Sequence, residues 1–337
     1  VHDNIVGGIE THGVFSSTAT TWANSNLTLS YDTAYNNPGY AKSSNHTGDG
    51  IVLSDVTNAL IDHCVAYANG TQNTHVGGPV GIWAWDSDHL TIQYSTSHNN
   101  HTNSTADGGG FDLDGGCTYC TLQYNYSYNN DGAGYGLFEF SGARAWNHNT
   151  VAFNISENDG RKNGYGAITL WNGGSGVNNA QVYNNTIYLT PTSAGARGIY
   201  VENTVSNVGF YDNIIQSTGG ATLVDVEGRQ SSLSFLGNDY WSTGSAFSIK
   251  QFAKKYTSLS SWEKATGSET LNGKAVGANV APGFAGTPGT ASDGAYKLAS
   301  GSALNGAGLA LSQFGVTPPP LDYFGDPVGS PWNVGAD

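Results

Sequence analysis

The sequence predicts an all-β fold, a parallel β-helix in which short strands stack on one another coil after coil. Its composition suits many short strands joined by turns, because 47 of the 337 residues are glycine, 19 are tyrosine and none is methionine. Short strands such as GIVLSD at Gly50, GIWAWDS at Gly81 and GFDLDGG at Gly110 recur 24 to 31 residues apart. A unit this short cannot bury its own apolar face, whereas a stack of such units can. The period therefore predicts a solenoid of about 8–9 coils.

A second series of strands alternates with the first and carries a column of asparagines. Stacked side-chain amides can hydrogen-bond one another and the backbone of each bend, so we expect this column to be structural. The aligned positions are Asn125, Asn154, Asn185, Asn213 and Asn238.

The repeat divides the chain into two parts. Residues 1–250 are predicted to form the parallel β-helix, and residues 251–337, which are rich in glycine and proline, an irregular C-terminal cap packed on the solenoid. Cys117 and Cys120 form a C-x-x-C pair without further zinc ligands, which predicts a local disulfide or free thiols rather than a metal site.

The charge of the chain limits its partners. Acidic residues outnumber basic ones 26 to 12, giving a formal net charge of −14. We therefore expect neither nucleic acid nor an anionic membrane surface as a partner. The sequence has no apolar run near the length of a membrane span, and we predict a soluble monomer.

The stretch GGGFDLDGG, residues 108–116, is the most unusual strand. Asp112 and Asp114 are two residues apart, so a β-strand places both side chains on one face. Phe111 and Leu113 then point into the core. Glycines crowd both sides of this acidic strand.

Glu139, in the next coil, is predicted to complete a group of three catalytic carboxylates. The alignment matches Phe138 and Phe140 to the core pair of the acidic strand, which places Glu139 outward beside Asp112. The other register would bury a lone carboxylate at a cost. The Asp114–Glu139 diagonal is then roughly 8 Å, inside the roughly 6.5–9.5 Å typical of inverting glycosidases. An Asp112–Glu139 pair would instead suit a retaining mechanism.

Aromatic side chains flank these acids in the predicted outward columns. A sugar ring has an apolar C–H face and a polar rim, so flat aromatics near carboxylates suit a polysaccharide groove. The alternative is that loops bury these aromatics or that the register is off by one. The substrate-binding candidates are Trp83, Trp85, Trp171, Tyr200 and Glu202, joined by Arg161 and Lys162 from a neighbouring loop.

The loops that enter these strands could hold a metal ion. Asp107, Asp131 and Asp159 offer the oxygen ligands that Ca²⁺ prefers, although Asp-Gly is also ordinary turn chemistry. Arg161 or Lys162 beside bound calcium would be the arrangement of a polysaccharide lyase.

Two histidines, His46 and His75, lie in the matching earlier loops. They could act as general bases, but solvated side chains are the prediction.

Motifs such as YNNTIY, YDNII and YNYSYNNDGAGYG give the chain a family resemblance over about residues 1–250. It resembles the right-handed parallel β-helix family of secreted carbohydrate-active proteins, the pectate-lyase-like superfamily. The resemblance implies a right-handed solenoid, secretion and a polysaccharide or oligosaccharide substrate. The polygalacturonase-type pattern NTD…DD…GHG…RIK is absent, so no catalytic residue is carried over.

Three functions follow in order. The first is a secreted glycoside hydrolase that cleaves a neutral polysaccharide, with Asp112, Asp114 and Glu139 as acid and base and no cofactor required. The second is a calcium-dependent lyase or epimerase of a uronate polymer; an acidic groove should repel that substrate unless metal ions bridge it. The third is a non-catalytic glycan-binding β-helix.

Overall fold

The computed structural model describes residues 1–13, 18–228, 232–244, 247–317 and 319–337. Within them, three long parallel sheets run the length of the molecule, so that the predicted all-β parallel solenoid is confirmed. Sheet 1 contains nine parallel strands and an antiparallel tenth: Gly7–Glu10, Asp49–Ser54, Val80–Trp85, Gly109–Leu113, Tyr135–Glu139, Gly166–Asn172, Arg197–Val201, Thr222–Val226, Ile249–Gln251 and Lys254–Tyr256.

Sheets 2 and 3 contain eight strands each, and sheet 3 follows sheet 2 within each coil. Sheet 2 comprises Asn24–Ser30, Val56–Asp62, Asp88–Gln93, Thr121–Gln123, Thr150–Ala152, Gln181–Tyr183, Val208–Tyr211 and Leu233–Leu236. Sheet 3 comprises Thr33–Tyr35, Val65–Tyr67, Thr96–His98, Tyr126–Tyr128, Ile155–Glu157, Thr186–Leu189, Ile214–Thr218 and Asp239–Thr243. A short sheet of Trp146–Asn147, Val177–Asn178 and Val205–Ser206 lies at one bend.

The core is built from columns of equivalent residues. Each inward side chain of a strand packs on its partner in the next coil, about 4.8 Å away, so the apolar surface is continuous along the axis. One column of sheet 1 is buried throughout and reads Ile51, Ile82, Phe111, Tyr135, Ile168, Ile199, Val224 and Ile249.

The predicted asparagine column is confirmed as a buried ladder. Each side-chain amide from Asn125 to Asn213 donates to the carboxamide oxygen of the next, at 2.8–3.1 Å. A second ladder, which the sequence analysis missed, runs through Asn37, Asn69, Asn100 and Asn130 and ends on Asp159. Both ladders satisfy backbone groups at the bends.

Only the first part of the C-terminal region, up to about Glu269, closes the end of the solenoid. In the helix Leu259–Thr266, Trp262 is fully buried against Phe235 and Tyr240. Glu269 then accepts hydrogen bonds from Asn238 and Tyr240, at 2.7 Å each, and so terminates the first ladder.

The remainder of the chain lies along the flank of the coils, where Ala336 N donates to Thr186 Oγ1 and Tyr124 Oη donates to Leu321 O. Its regular elements are the hairpin Thr270–Leu271 and Lys274–Ala275 and the 3₁₀ turns Asp293–Tyr296 and Leu311–Phe314.

The cysteines are buried free thiols, which is one of the two states expected for Cys117 and Cys120. None of the helices in the described ranges is long and apolar enough to cross a lipid bilayer.

Candidate functional site

The strand register around the acidic strand differs from the predicted one. Asp112 pairs with Gly136 and Leu113 with Leu137, so the following strand is displaced by three residues from the expected alignment. Gly136 makes room for the carboxyl group above it, since a Cβ there would lie 2.8 Å from Asp112 Oδ1. Asp112 is outward, as predicted, but only 2% exposed.

The prediction that Glu139 faces outward is wrong. Glu139 shares the parity of the core residues Tyr135 and Leu137, and it is 0% exposed. Its carboxylate accepts hydrogen bonds from Gly116 N at 3.1 Å and from Ser175 Oγ at 2.6 Å. These two hydrogen bonds offset the cost of burying the carboxylate. That cost was the reason for predicting the register in which Glu139 faces outward.

A cavity of about 930 Å³ covers the outward face of the middle coils of sheet 1. It contains seven of the predicted site residues: Trp83, Trp85, Asp107, Asp114, Trp171, Tyr200 and Glu202. Its other lining side chains include His46, His75, Phe138, Phe140, Asn163, Tyr165 and Arg197. Asp112 lies beneath the cavity rather than in its wall.

Asp114 and Asp107 bring carboxyl groups to the cavity wall. Burial and the nearby charge of Glu139 raise the pKa of Asp114 to about 6, against a hydrogen bond from Gly115 N at 2.7 Å and the charge of His46, which lower it. Burial and the charge of Asp114 raise the pKa of Asp107 to about 8. Two acids in one cavity thus differ in protonation at neutral pH.

Asp112 adds a third, buried carboxyl group below these two. Its pKa lies well above its ordinary value because of burial and of the charges of Asp114 and Asp107. Asp112 Oδ1 meets no hydrogen-bond donor within the described part of the chain. The protonated form fits such surroundings better than a carboxylate does.

Asp107 is fixed by its loop. Its backbone has a φ of 57°, in the left-handed region that Asp and Asn adopt more readily than most residues. Its N–H donates to Tyr165 Oη at 3.0 Å, and its carboxyl group accepts a hydrogen bond from Gly78 N. The side chain is therefore held at the edge of the cavity.

His46 is not the solvated side chain that was predicted. It is 11% exposed, and its Nδ1 lies 2.7 Å from Oδ2 of the fully buried Asp49. Oδ1 of Asp49 accepts from Val80 N at 3.1 Å and from Trp83 Nε1 at 3.0 Å. The rings of His46 and Trp83 pack in a T-shaped arrangement, with ring centroids 5.0 Å apart.

The aromatic residues do not contribute equally to the cavity. Trp83 is only 2% exposed and uses its indole N–H to hold Asp49, so little of its ring is available for stacking. Trp85 and Trp171 are half-buried and lie edge-on to Phe140 and Phe138, respectively.

Arg197 covers the far end of the cavity, where its guanidinium lies 4.1 Å from the ring centroid of Tyr200. The same guanidinium donates to Asp225, with Nε 2.8 Å from Oδ2.

The predicted basic residues stabilise loops and do not reach the cavity. Arg161 donates to the backbone oxygens of Thr190 at 3.1 Å and Pro191 at 3.2 Å. Lys162 Nζ donates to the backbone oxygen of Thr102. Their predicted role as substrate-binding residues therefore does not fit their positions.

The predicted calcium ligands do not converge. Asp131 accepts from Thr102 N at 3.0 Å, and Asp159 ends the second ladder by accepting from Asn130 Nδ2 at 2.8 Å. Among the described residues, the acidic group close enough to share an ion is instead Asp322, Asp326 and Asp337 in the C-terminal region. Lys297 already pairs with Asp326 there, at 2.5 Å.

The pairing of His46 with Asp49 and the cavity positions of several other residues were not predicted from the sequence. The H-x-x-D spacing of His46 and Asp49 just before a strand was a usable signal, because the two side chains can meet across a tight turn. Tyr165, Phe138 and Arg197 had no comparable signal, since their positions depend on the register and on loop packing.

Comparison with known proteins identifies the family of the chain. No curated protein sequence matches it. A family model described as a right handed beta helix region matches residues 1–187, which is more than half of the 337 residues. The chain therefore belongs to the right-handed β-helix family.

Proposed function

We propose that the protein is a glycoside hydrolase that cleaves a neutral polysaccharide in the cavity over sheet 1. The observation that carries the proposal is that Asp107 and Asp114 both line one aromatic-walled cavity. Burial raises the pKa of Asp107 to about 8 and that of Asp114 to about 6. The right-handed β-helix domain also occurs in many carbohydrate-active enzymes. A polymeric substrate would place the protein outside the cell.

The cavity walls suit a sugar chain. Trp85 and Trp171 stand on either side of Asp114 along the solenoid axis, with Tyr200 one coil further on. Aromatic rings bind the C–H faces of sugars, and the carboxyl, amide and hydroxyl groups between them can hydrogen-bond the rim. Trp85 and Trp171 are three coils apart, roughly 14 Å at about 4.8 Å per coil, so these aromatics can contact separate units of one sugar chain.

Separate protonation states assign separate roles to the two acids. At neutral pH Asp107 keeps its proton, because its pKa is about 8, and can donate it to the oxygen of the leaving sugar. Asp114, with a pKa of about 6, is mostly ionised and can stabilise the positive charge that develops at the anomeric carbon. Asp112 supports the pair from below as a neutral carboxyl group.

A panel of polysaccharides tests this function. The wild type should release new reducing ends from at least one neutral polymer. Asp107→Asn and Asp114→Asn should both lose most of this activity while staying folded, because asparagine can still accept the N–H of Gly78 or Gly115. Full activity in both variants would refute the proposal.

The other two functions are outcomes of the same panel. An unsaturated, ultraviolet-absorbing product from a uronate polymer, abolished by a chelator, would establish a calcium-dependent lyase. That function has lost its proposed bases, since Arg161 and Lys162 are bound to loop carbonyls. Binding to a glycan without turnover of any polymer would establish a non-catalytic binding protein.

A further inference from the structure

His46 lines the cavity and is hydrogen-bonded to the buried Asp49. The roles proposed for Asp107 and Asp114 do not involve this pair. Asp49 receives three donors, from His46, Val80 and Trp83, at 2.7, 3.1 and 3.0 Å. Oδ2 of Asp49 accepts the Nδ1–H of the histidine, which fixes the orientation of the ring. Whenever the ring is neutral, Nε2 is then its acceptor nitrogen.

The free edge of His46 belongs to the cavity. His46 is part of the cavity lining, and no side chain or backbone group in the described ranges hydrogen-bonds its Nε2. His46 is also close enough to Asp114 and Asp107 for its charge to lower the pKa of each. An imidazole of fixed orientation therefore faces the same space as the two acids.

Other histidine–aspartate pairs in the chain show what is particular to this one. His89 Nδ1 lies 2.6 Å from Asp88 Oδ2, but its side chain is 58% exposed and stacks on Tyr119 outside the cavity. That pair lacks a buried carboxylate, a fixed ring edge and neighbouring acids. His89 thus provides a chemically matched control.

We propose that His46, held by Asp49, is the general base that activates the attacking water; this rests on the proposed hydrolase function. In the reaction, Nε2 takes one proton from water as the water oxygen bonds to the anomeric carbon. The bond from that carbon to the leaving oxygen breaks, and the leaving oxygen takes the proton of Asp107. His46 ends as an imidazolium ion and Asp107 as a carboxylate, and proton exchange with solvent restores both.

This assignment predicts the stereochemical outcome. Direct attack by water with no covalent intermediate inverts the anomeric configuration. The sequence analysis expected an inverting mechanism from Asp114 and Glu139. His46 and Asp107 would give the same inverting outcome, although Glu139 points into the core.

The charges that face His46 define its working range. Asp49, Glu10 and Asp114 raise its pKa above the ordinary value despite burial, which acts in the opposite direction. The base is active only when neutral, so activity should fall as the solution is acidified through this pKa.

Azide rescue of His46→Ala tests the proposal on a fragment of the polymer that the panel identifies. Loss of the base should lower kcat by about 10²–10⁴-fold. Azide needs no deprotonation, so it should restore turnover and yield a glycosyl azide of inverted configuration. His46→Gln, which can still donate to Asp49, should stay folded and show the same loss and rescue.

Two controls separate this proposal from the hydrolase function. Asp107→Asn should regain activity with an aryl glycoside that has a good leaving group, and not with azide. His89→Gln should behave as the wild type. Wild-type kcat in both His46 variants, or a loss without azide rescue in folded protein, would overturn the role of His46. If Asp107→Asn and Asp114→Asn also stay active, the hydrolase proposal itself fails.

Discussion

Glu139 is the residue for which the structure and the sequence-based alignment predict opposite results. Glu139→Gln keeps the shape of the side chain: its oxygen can accept from Gly116 N, and its amide can donate to Ser175 Oγ. Because Glu139 lies below the cavity, we expect kcat/KM to stay within about tenfold of the wild type, or about 1.4 kcal/mol. Removal of a catalytic acid or base would cost about 10²–10⁴-fold.

The hydrogen bonds of Glu139 allow an estimate of how much Glu139→Ala lowers the free energy of unfolding. Alanine leaves the buried N–H of Gly116 without its acceptor, at about 1–3 kcal/mol, whereas the hydroxyl of the exposed Ser175 can hydrogen-bond water instead. We therefore expect a loss of about 1–3 kcal/mol in the free energy of unfolding, against less than about 1 kcal/mol for glutamine. Urea unfolding followed by tryptophan fluorescence measures both, and reducing-end release measures activity. A well-folded Glu139→Gln variant with a loss of about a hundredfold or more would refute the structural role.

Three further predictions concern the solenoid. Asn154→Ala should lower the free energy of unfolding by about 3 kcal/mol or more, because it breaks the ladder in both directions, and an unchanged urea midpoint would contradict this. Trp262→Ala should cost about 3–5 kcal/mol in the same assay, and a loss of less than about 1 kcal/mol would argue against end capping. Burial raises the pKa of Asp212 to about 8 and of Glu269 to about 7, so the folded state holds protons that the unfolded chain releases above about pH 4. Thermal stability should therefore fall as pH rises from about 4 to about 8, less steeply in Asp212→Asn, and a Tm that rises over this range would contradict it.

The fold could be predicted from the sequence because its signals repeat. A period of 24 to 31 residues and an asparagine column each appear several times, so local irregularities average out. The second ladder was missed because its members, such as Asn69 and Asn100, lie among many other turn asparagines. The C-terminal region lacks a repeat, and only the structure separates the end-closing helix from the chain on the flank.

The site was harder to predict because the strand register cannot be read from the sequence where apolar residues occupy both faces of a strand. Tyr135 and Leu137 would lie on one face of the strand, and Phe138 and Phe140 on the other. Both faces are therefore apolar, and the pattern does not determine which residues point inward. The donors that satisfy buried Glu139 come from Gly116 and from Ser175 in the following coil, and nothing near it in sequence reveals them.

The predicted positions of site residues were more accurate for residues in strands than for residues in loops. Asp114, Trp85 and Trp171 lie on strand positions, or at a strand end, whose parity the alignment assigned correctly, and they line the cavity. Arg161 and Lys162 lie in a loop, where the hydrogen-bonding needs of nearby carbonyls decide the direction of a long side chain.

Cleavage of a neutral polysaccharide by the wild type and by Asp107→Asn, followed as reducing-end release between about pH 5 and about pH 9, tests the hydrolase proposal most directly. The wild type should show kcat/KM that falls above about pH 8, where Asp107 loses its proton, and the variant should show little activity at any pH. Equal activity of the two proteins across this range, or a wild type that binds the polymer and never cleaves it, would contradict the proposal.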